Sequence, residues 1–213
     1  MNRTVIIDDC NLRDTFDVVM TSKQISNAEI KSETIDIPCS NGTIDLSQAL
    51  SGDVVYENRK IKIELEKLEP TGNLLSFQSK FDNKFNGKYV KVVFEEDPDY
   101  YWVGRCSVEH DIDKVIDSIT IEIDAYPLKY KKNKTVITEI IETSKTIVCS
   151  NLRKWVTPSF KASSDMDILF ENNHYSIGTT AKLLPGLIFK QGDNTLEVTG
   201  NGTIEITYQE EGL

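Results

Sequence analysis

The chain has 213 residues and carries 34 acidic against 24 basic side chains, a formal net charge of −10. A chain of this length buries roughly 70% of its unfolded surface, so no metal or disulfide framework is needed to hold it. The acidic balance excludes the basic footprint of a nucleic-acid reader, because phosphate contacts need Lys and Arg.

Val5 to Ile7 and Val18 to Met20 are short β-branched runs that predict strands, and Thr34 to Ile37 is a third, ended by Pro38. The polar stretch between them, Thr21 to Glu33, reads as an extended loop or arm. From Asn41 to Gly52 the Asn-Gly and Ser-Gly pairs signal turns. Ile61, Ile63 and Leu65 then alternate with Lys60, Lys62, Glu64 and Glu66, the period-two pattern of a strand with one buried face. The charged side of that strand is either solvated or turned toward a neighbouring subunit.

Pro70-Thr-Gly-Asn73 precedes a helix whose Leu74, Phe77, Phe81 and Phe85 recur at spacings of three and four. Asn73 is placed to cap its start, and Gly87 stands where a helix-terminating glycine belongs. Its aromatic stripe is core that packs on a sheet. Lys88 to Glu95, Tyr100 to Glu109 and the alternation of Ile119, Ile121, Ile123 and Ala125 read as a meander of long strands, broken by the turn Glu95-Glu-Asp-Pro-Asp99 and ended by Pro127.

Lys129, Lys131, Lys132 and Lys134 around Tyr130 show no periodicity and read as a solvated linker. Two domains are therefore expected, 1–130 and 131–213. The second contains short runs at Val136 to Ile141, Lys145 to Cys149, Met166 to Phe170, Leu187 to Lys190, Leu196 to Thr199 and Thr203 to Tyr208. Turn residues at Asn172-Asn173, Gly192-Asp-Asn194 and Gly200-Asn-Gly202 punctuate them. This predicts a mainly β chain: a β-sandwich-like front domain with one α-helix, then a small β-sandwich of galectin or carbohydrate-module kind.

Charge is uneven. Through Tyr130 there are 24 acidic against 15 basic side chains, a balance of −9, and beyond it 10 against 9. No apolar run approaches the roughly 20 residues of a membrane span. The opening Met-Asn-Arg-Thr-Val-Ile-Ile lacks a signal-peptide core, so synthesis in the cytosol and no membrane partner are expected.

Motifs of chemistry are missing: no phosphate-binding loop, no His-Glu-x-x-His and no Gly-x-Ser-x-Gly stands in the sequence. Cys10, Cys39, Cys106 and Cys149 lack metal-ligand spacing and read as structural thiols. The carboxylates of 95–99 neighbour one another on a turn, unlike a glycosidase pair. His110, between Glu109 and Asp111, reads as a solvated turn residue. No catalytic residue, cofactor or metal ligand is therefore assigned. Trp155, Phe160, Tyr175 and Tyr208 could form an aromatic platform for sugar rings, with Trp155 and Tyr175 as glycan-contact candidates, although core packing is the commoner use of such residues.

Three blocks stand in order: Asn41 to Gly52 leading through Tyr56-Glu-Asn-Arg59 into the amphipathic strand; the Phe77 to Gly87 helix with the Tyr89 strand; and Tyr100-Tyr-Trp-Val-Gly-Arg105 with the long strand ending at Tyr126-Pro127. Together they resemble the ring-forming domain of distal tail proteins (Dit) of long-tailed bacteriophages and related prophage tail particles. The stretch from Gly192 to Tyr208 is similar to the close of that family's C-terminal β-domain. The resemblance implies a non-enzymatic structural protein of the virion tail tip, forming a homohexameric ring between the tail tube protein and the tail-tip hub or tail-associated lysin. DNA would pass through the hole as transient cargo. It also implies subunit contacts from the N-terminal region, for which Val18, Val19, Ile35 and Ile37 are candidates. The alternative use is a carbohydrate-binding accessory module of a phage or cell-surface particle.

Overall fold

The computed structural model describes residues 4–39, 41–49, 51–67, 73–113 and 116–213, with backbone alone for 112, 113, 116 and 117. The turn expected at Pro70 to Gly72 lies outside these residues. Two compact units divide the chain, Met1–Lys129 and Tyr130–Leu213.

The front unit is built from β1 (Val5–Ile7), β2 (Cys10–Asn11), α1 (Leu12–Phe16), β3 (Val18–Ile25), β4 (Thr34–Asp36), β5 (Thr43–Asp45), β6 (Arg59–Lys67), α2 (Leu74–Phe85), β7 (Tyr89–Phe94), β8 (Tyr100–Asp113) and β9 (Ile116–Ala125). Seven strands form one antiparallel path, β2-β1-β7-β8-β9-β6-β3. Alternation sets its register: Ile61, Ile63 and Leu65 of β6 stand opposite Ile123, Ile121 and Ile119 of β9. All six are buried, as are Cys106 and Val108 on β8. Burying each aliphatic side chain contributes about 1.5–3 kcal/mol.

The helix α2 covers this apolar face because its three-and-four spacing brings Phe77, Phe81 and Phe85 to one side. Asn73 caps its start, its side-chain oxygen accepting the Ser76 N–H at 3.2 Å. Gly87 takes φ +74°, the left-handed value its lack of Cβ allows, and donates its N–H to Cys106 O at 2.8 Å. The second helix, α1, is one the hydrophobic pattern did not announce. Asn11 accepts the Arg13 N–H at 3.1 Å and Asp17 ends the turn at φ +57°. Its purpose is to deliver Phe16, whose ring lies 5.0 Å from Phe81 and 5.8 Å from Phe85 in edge-to-face contact.

His110 corrects an expectation. It lies on β8 rather than in a solvated turn, packs edge-on against Phe81, and its Nε2 meets Asp82 of α2 at 3.0 Å, fastening helix to sheet. Strand β3 likewise runs on to Ile25, so Ser22 to Ile25 of the supposed loop are paired with β6 beyond a bulge at Thr21.

The lysine-rich stretch is also not a simple linker, since Lys129–Lys131 forms β10. Lys129 Nζ meets Asp97 at 2.5 Å, and Lys131 Nζ meets the buried Glu210 carboxylate at 2.5 Å. Only Lys132 and Lys134 of the four are exposed.

The back unit carries β11 (Thr135–Ile141), β12 (Ser144–Asn151), β13 (Ser159–Ala162), β14 (Met166–Phe170), β15 (Asn173–Ile177), β16 (Lys182–Leu183), β17 (Gly192–Gly200), β18 (Gly202–Tyr208) and β19 (Glu211–Gly212). Two four-stranded antiparallel sheets, β11-β18-β13-β16 and β12-β17-β14-β15, enclose a core of Phe160, Ile168, Phe189, Leu196, Val198, Ile204 and Ile206. The fold is mainly β, and the small C-terminal sandwich is present. Leu187 to Lys190, expected as a strand, makes a single bridge through Phe189 to Val156 and plugs the core with Leu187 and Phe189.

Among the described residues no helix is long and apolar enough to cross a membrane.

Gly104, on β8, is a tight point. A Cβ there would lie 2.4 Å from Asp124 O and 2.6 Å from Ala125 Cα. Gly104→Ala is expected to cost about 2–3 kcal/mol by forcing the β8/β9 ladder apart. Urea unfolding would show it as a lowered midpoint with an unchanged slope.

Candidate assembly surface

Between Ser26 and Asn58 no described residue is buried, yet the backbone is regularly paired. Ser26 N donates to Lys60 O at 2.9 Å, Glu57 N to Glu29 O at 2.8 Å, Lys31 N to Val55 O at 2.9 Å and Leu46 N to Glu33 O at 2.8 Å. Ile30 bridges Tyr56, and β4 pairs with β5 in the register Thr34↔Asp45, Ile35↔Ile44, Asp36↔Thr43. The segment is thus a two-limbed ribbon that continues β3 outward and returns into β6. Cys39 at φ +66° and Gly42 at φ +77° lie at its turn.

Side chains alternate across such a ribbon. Ile35 and Ile44 face each other on one side, with Ile37 and Leu46 two residues further on, whereas Thr34, Asp36, Thr43 and Asp45 take the other side. The four apolar residues are between 37% and 50% exposed, and Ile30 and Val55 nearer the root are 59% and 42% exposed. An isolated two-stranded ribbon is marginal in water. One apolar face with no layer over it is the pattern of a surface meant to be covered.

The candidate contact residues divide accordingly. Ile35 and Ile37 lie on the arm, and Val19 is half-buried at the start of β3. Val18 is corrected: at 1% exposure it belongs to the core with Leu65 and Phe81, because β3 packs it inward, and it offers nothing to a partner. Ile44 and Leu46 were missed. Their signal was the repeated Thr-Ile-Asp at 34–36 and 43–45 around Asn41-Gly42, a hairpin pattern read only as turns.

The charged face of β6 is laced to its surroundings. Lys60 Nζ is 3.3 Å from Asp124, Lys62 Nζ is 3.0 Å from Glu64, and Ser22 Oγ donates to Glu64 at 2.6 Å. The Ser22 hydrogen bond, with Lys62 beside it, holds the Glu64 carboxyl below the usual range.

The glycan candidates are not brought together. Trp155 is half-buried in the loop after β12 under Lys190, whose Nζ is 5.7 Å from the ring centre. Tyr175 lies on β15, paired with Ile168 and packed against the core. Phe160 and Tyr208 are core, both touching Phe189. On the 95–99 turn, Glu96 pairs with Lys23 and Asp97 with Lys129.

An antiparallel sheet backed by helices, carrying an exposed arm and followed by a small β-sandwich, defines a two-unit, mainly β protein. The fold is that of the SPP1 Dit (gp 19.1) protein, whose crystal structure is presented as a paradigm of the hub adsorption apparatus in Gram-positive infecting phages. The likeness spans 97% of this chain and 98% of that chain with a TM-score of 0.68, at 13% sequence identity. No family model and no curated protein matches the sequence. The likeness is therefore one of fold.

Cys39 departs from the expectation of buried thiols, since the arm leaves it exposed while Cys10, Cys106 and Cys149 are buried. Burial pushes the Cys106 and Cys149 thiols up to about 12, aided at Cys106 by the charge of Asp8. With a thiol-specific reagent at pH 8, one thiol per chain should react at once and the other three only on unfolding.

Proposed function

We propose that this protein is a structural, non-enzymatic component of a phage tail tip. It forms a ring, hexameric by the resemblance, that joins the tail tube to the tail-tip hub or lysin and leaves a channel for DNA. The ring is made in the bacterial host's cytoplasm and ends in the virion. The observation that carries this reading is the agreement of fold with SPP1 Dit along nearly the whole of both chains.

Two features of the chain support it. The arm presents Ile35, Ile37, Ile44 and Leu46 on one face with no cover from its own unit. A ring of identical subunits needs a heterologous contact that closes under rotation, and an arm laid on the next subunit supplies one. The front unit also concentrates the acidic charge. Repeated about an axis, −9 per subunit gives the channel wall a sign that repels phosphate and lets DNA slide. An assembled ring with a neutral or basic inner wall would overturn that part.

Sedimentation and negative-stain imaging of the purified protein test the reading. The wild type should give a closed ring. A double variant, Ile35→Ser with Ile44→Ser, should leave subunit stability within about 0.5 kcal/mol while dissociating the ring. Rings that persist in the double variant would exclude the arm as the contact.

A further inference from the structure

Arg59, the first residue of β6, is a cation buried without a polar partner among the described residues. Strand alternation puts it on the inner face, in line with Ile61, Ile63 and Leu65. It is 7% exposed. Ala125 of β9 stands directly opposite it, and Gly104 of β8 stands opposite Ala125. These two small residues leave the row open, and the guanidinium reaches the Trp102 ring, with Cζ 4.7 Å from its centre. Burial lowers the Arg59 pKa from its usual value. Among the described residues Arg59 makes no hydrogen bond and no ion pair, and its Nε is buried with no acceptor.

A buried charge without a partner is destabilising, and a guanidinium presents a planar fork of donors that suits a bidentate acceptor. No carboxylate among the described residues pairs with it. The position is also specific: Tyr56 and Glu57, pairing with Ile30 and Glu29, bring the returning limb of the arm straight into Arg59.

We propose that Arg59 and Trp102 form a seat for a carboxylate, filled on assembly by an Asp or Glu side chain of a neighbouring copy of this chain. The inference rests on the reading of the arm as a subunit contact and adds a polar lock at its root. A carboxylate on this seat exchanges water for charge-assisted hydrogen bonds from the guanidinium, and a neighbour that also covers the arm holds it there.

The test uses the full chain as wild type, Arg59→Met and Arg59→Lys, with two readouts. Melting is followed in sodium acetate and in sodium phosphate against sodium chloride at matched ionic strength, and self-association by sedimentation. Acetate should raise the wild-type melting temperature above the chloride value and should fail to do so in Arg59→Met. Arg59→Met should melt no lower than wild type, because it removes an uncompensated buried charge, yet associate about tenfold or more weakly. Arg59→Lys, with charge but no fork, should also associate more weakly.

A fall in melting temperature with association unchanged in both variants would overturn the proposal and make Arg59 a packing residue. Stabilisation by phosphate in place of acetate would overturn the carboxylate. An acetate effect lost in Arg59→Met with association unchanged would overturn the neighbouring copy as its source. A wild type that never associates would sink the ring reading, and the acetate response would then judge the seat alone.

Discussion

Three cross-strand pairs, Ile61 with Ile123, Ile63 with Ile121 and Leu65 with Ile119, govern the front unit, because a β-ladder has a side-chain period of two and admits no half measures. Slipping β6 by one residue would turn its three buried aliphatics out and bring Lys60, Lys62, Glu64 and Glu66 in. Each aliphatic forfeits about 1.5–3 kcal/mol, and each charge adds a desolvation cost of its own. Other features follow from that register. It aligns Cys106 and Val108 of β8 with the same floor, gives Phe81 and Phe85 a surface to settle on, and commits Arg59 to the inside.

What could be read from the sequence is what repeats. The strands of β6 to β9 alternate over many residues, and α2 combines aromatic spacing with a capping Asn, so local pattern and tertiary burial agree. The failures share a cause. Helix α1 is five residues long, too short for a period, and is defined by Asn11 and by the left-handed Asp17. Strand β15 is Asn-His-Tyr-Ser-Ile, polar on the face it shows to water, and β16 has only two residues. Leu187 and Phe189 looked like a strand because they are apolar, but a loop can bury two side chains as well as a ladder can. Asn194, read as turn, is drawn into β17, and from there its amide donates to Lys190 O at 2.9 Å and Gly192 O at 3.0 Å.

The arm was hard to see for a different reason. Sequence patterns disclose the faces that a chain buries within itself, and the arm buries nothing there. Ile35 and Ile37 were legible as a short strand, but Ile44 and Leu46, set among Thr, Asp and Ser with no core to point at, passed for turn residues. The surest sign was the repeated Thr-Ile-Asp on either side of Asn41-Gly42. Its meaning emerges only once the rungs from Ser26 to Leu46 show the two limbs side by side.

Rungs without a covering layer order the arm weakly, and that has a consequence for assembly. The backbone hydrogen bonds align the limbs, but their net worth in water is small. Full ordering of the arm is then deferred to the contact that covers it, and part of the contact energy goes into that ordering. Under the proposed assembly such a contact is selective for partners that supply both an apolar cover for the arm and a satisfying group for Arg59 at its root. The back unit, by contrast, closes its own core of Phe160, Phe189 and the β17 and β18 aliphatics.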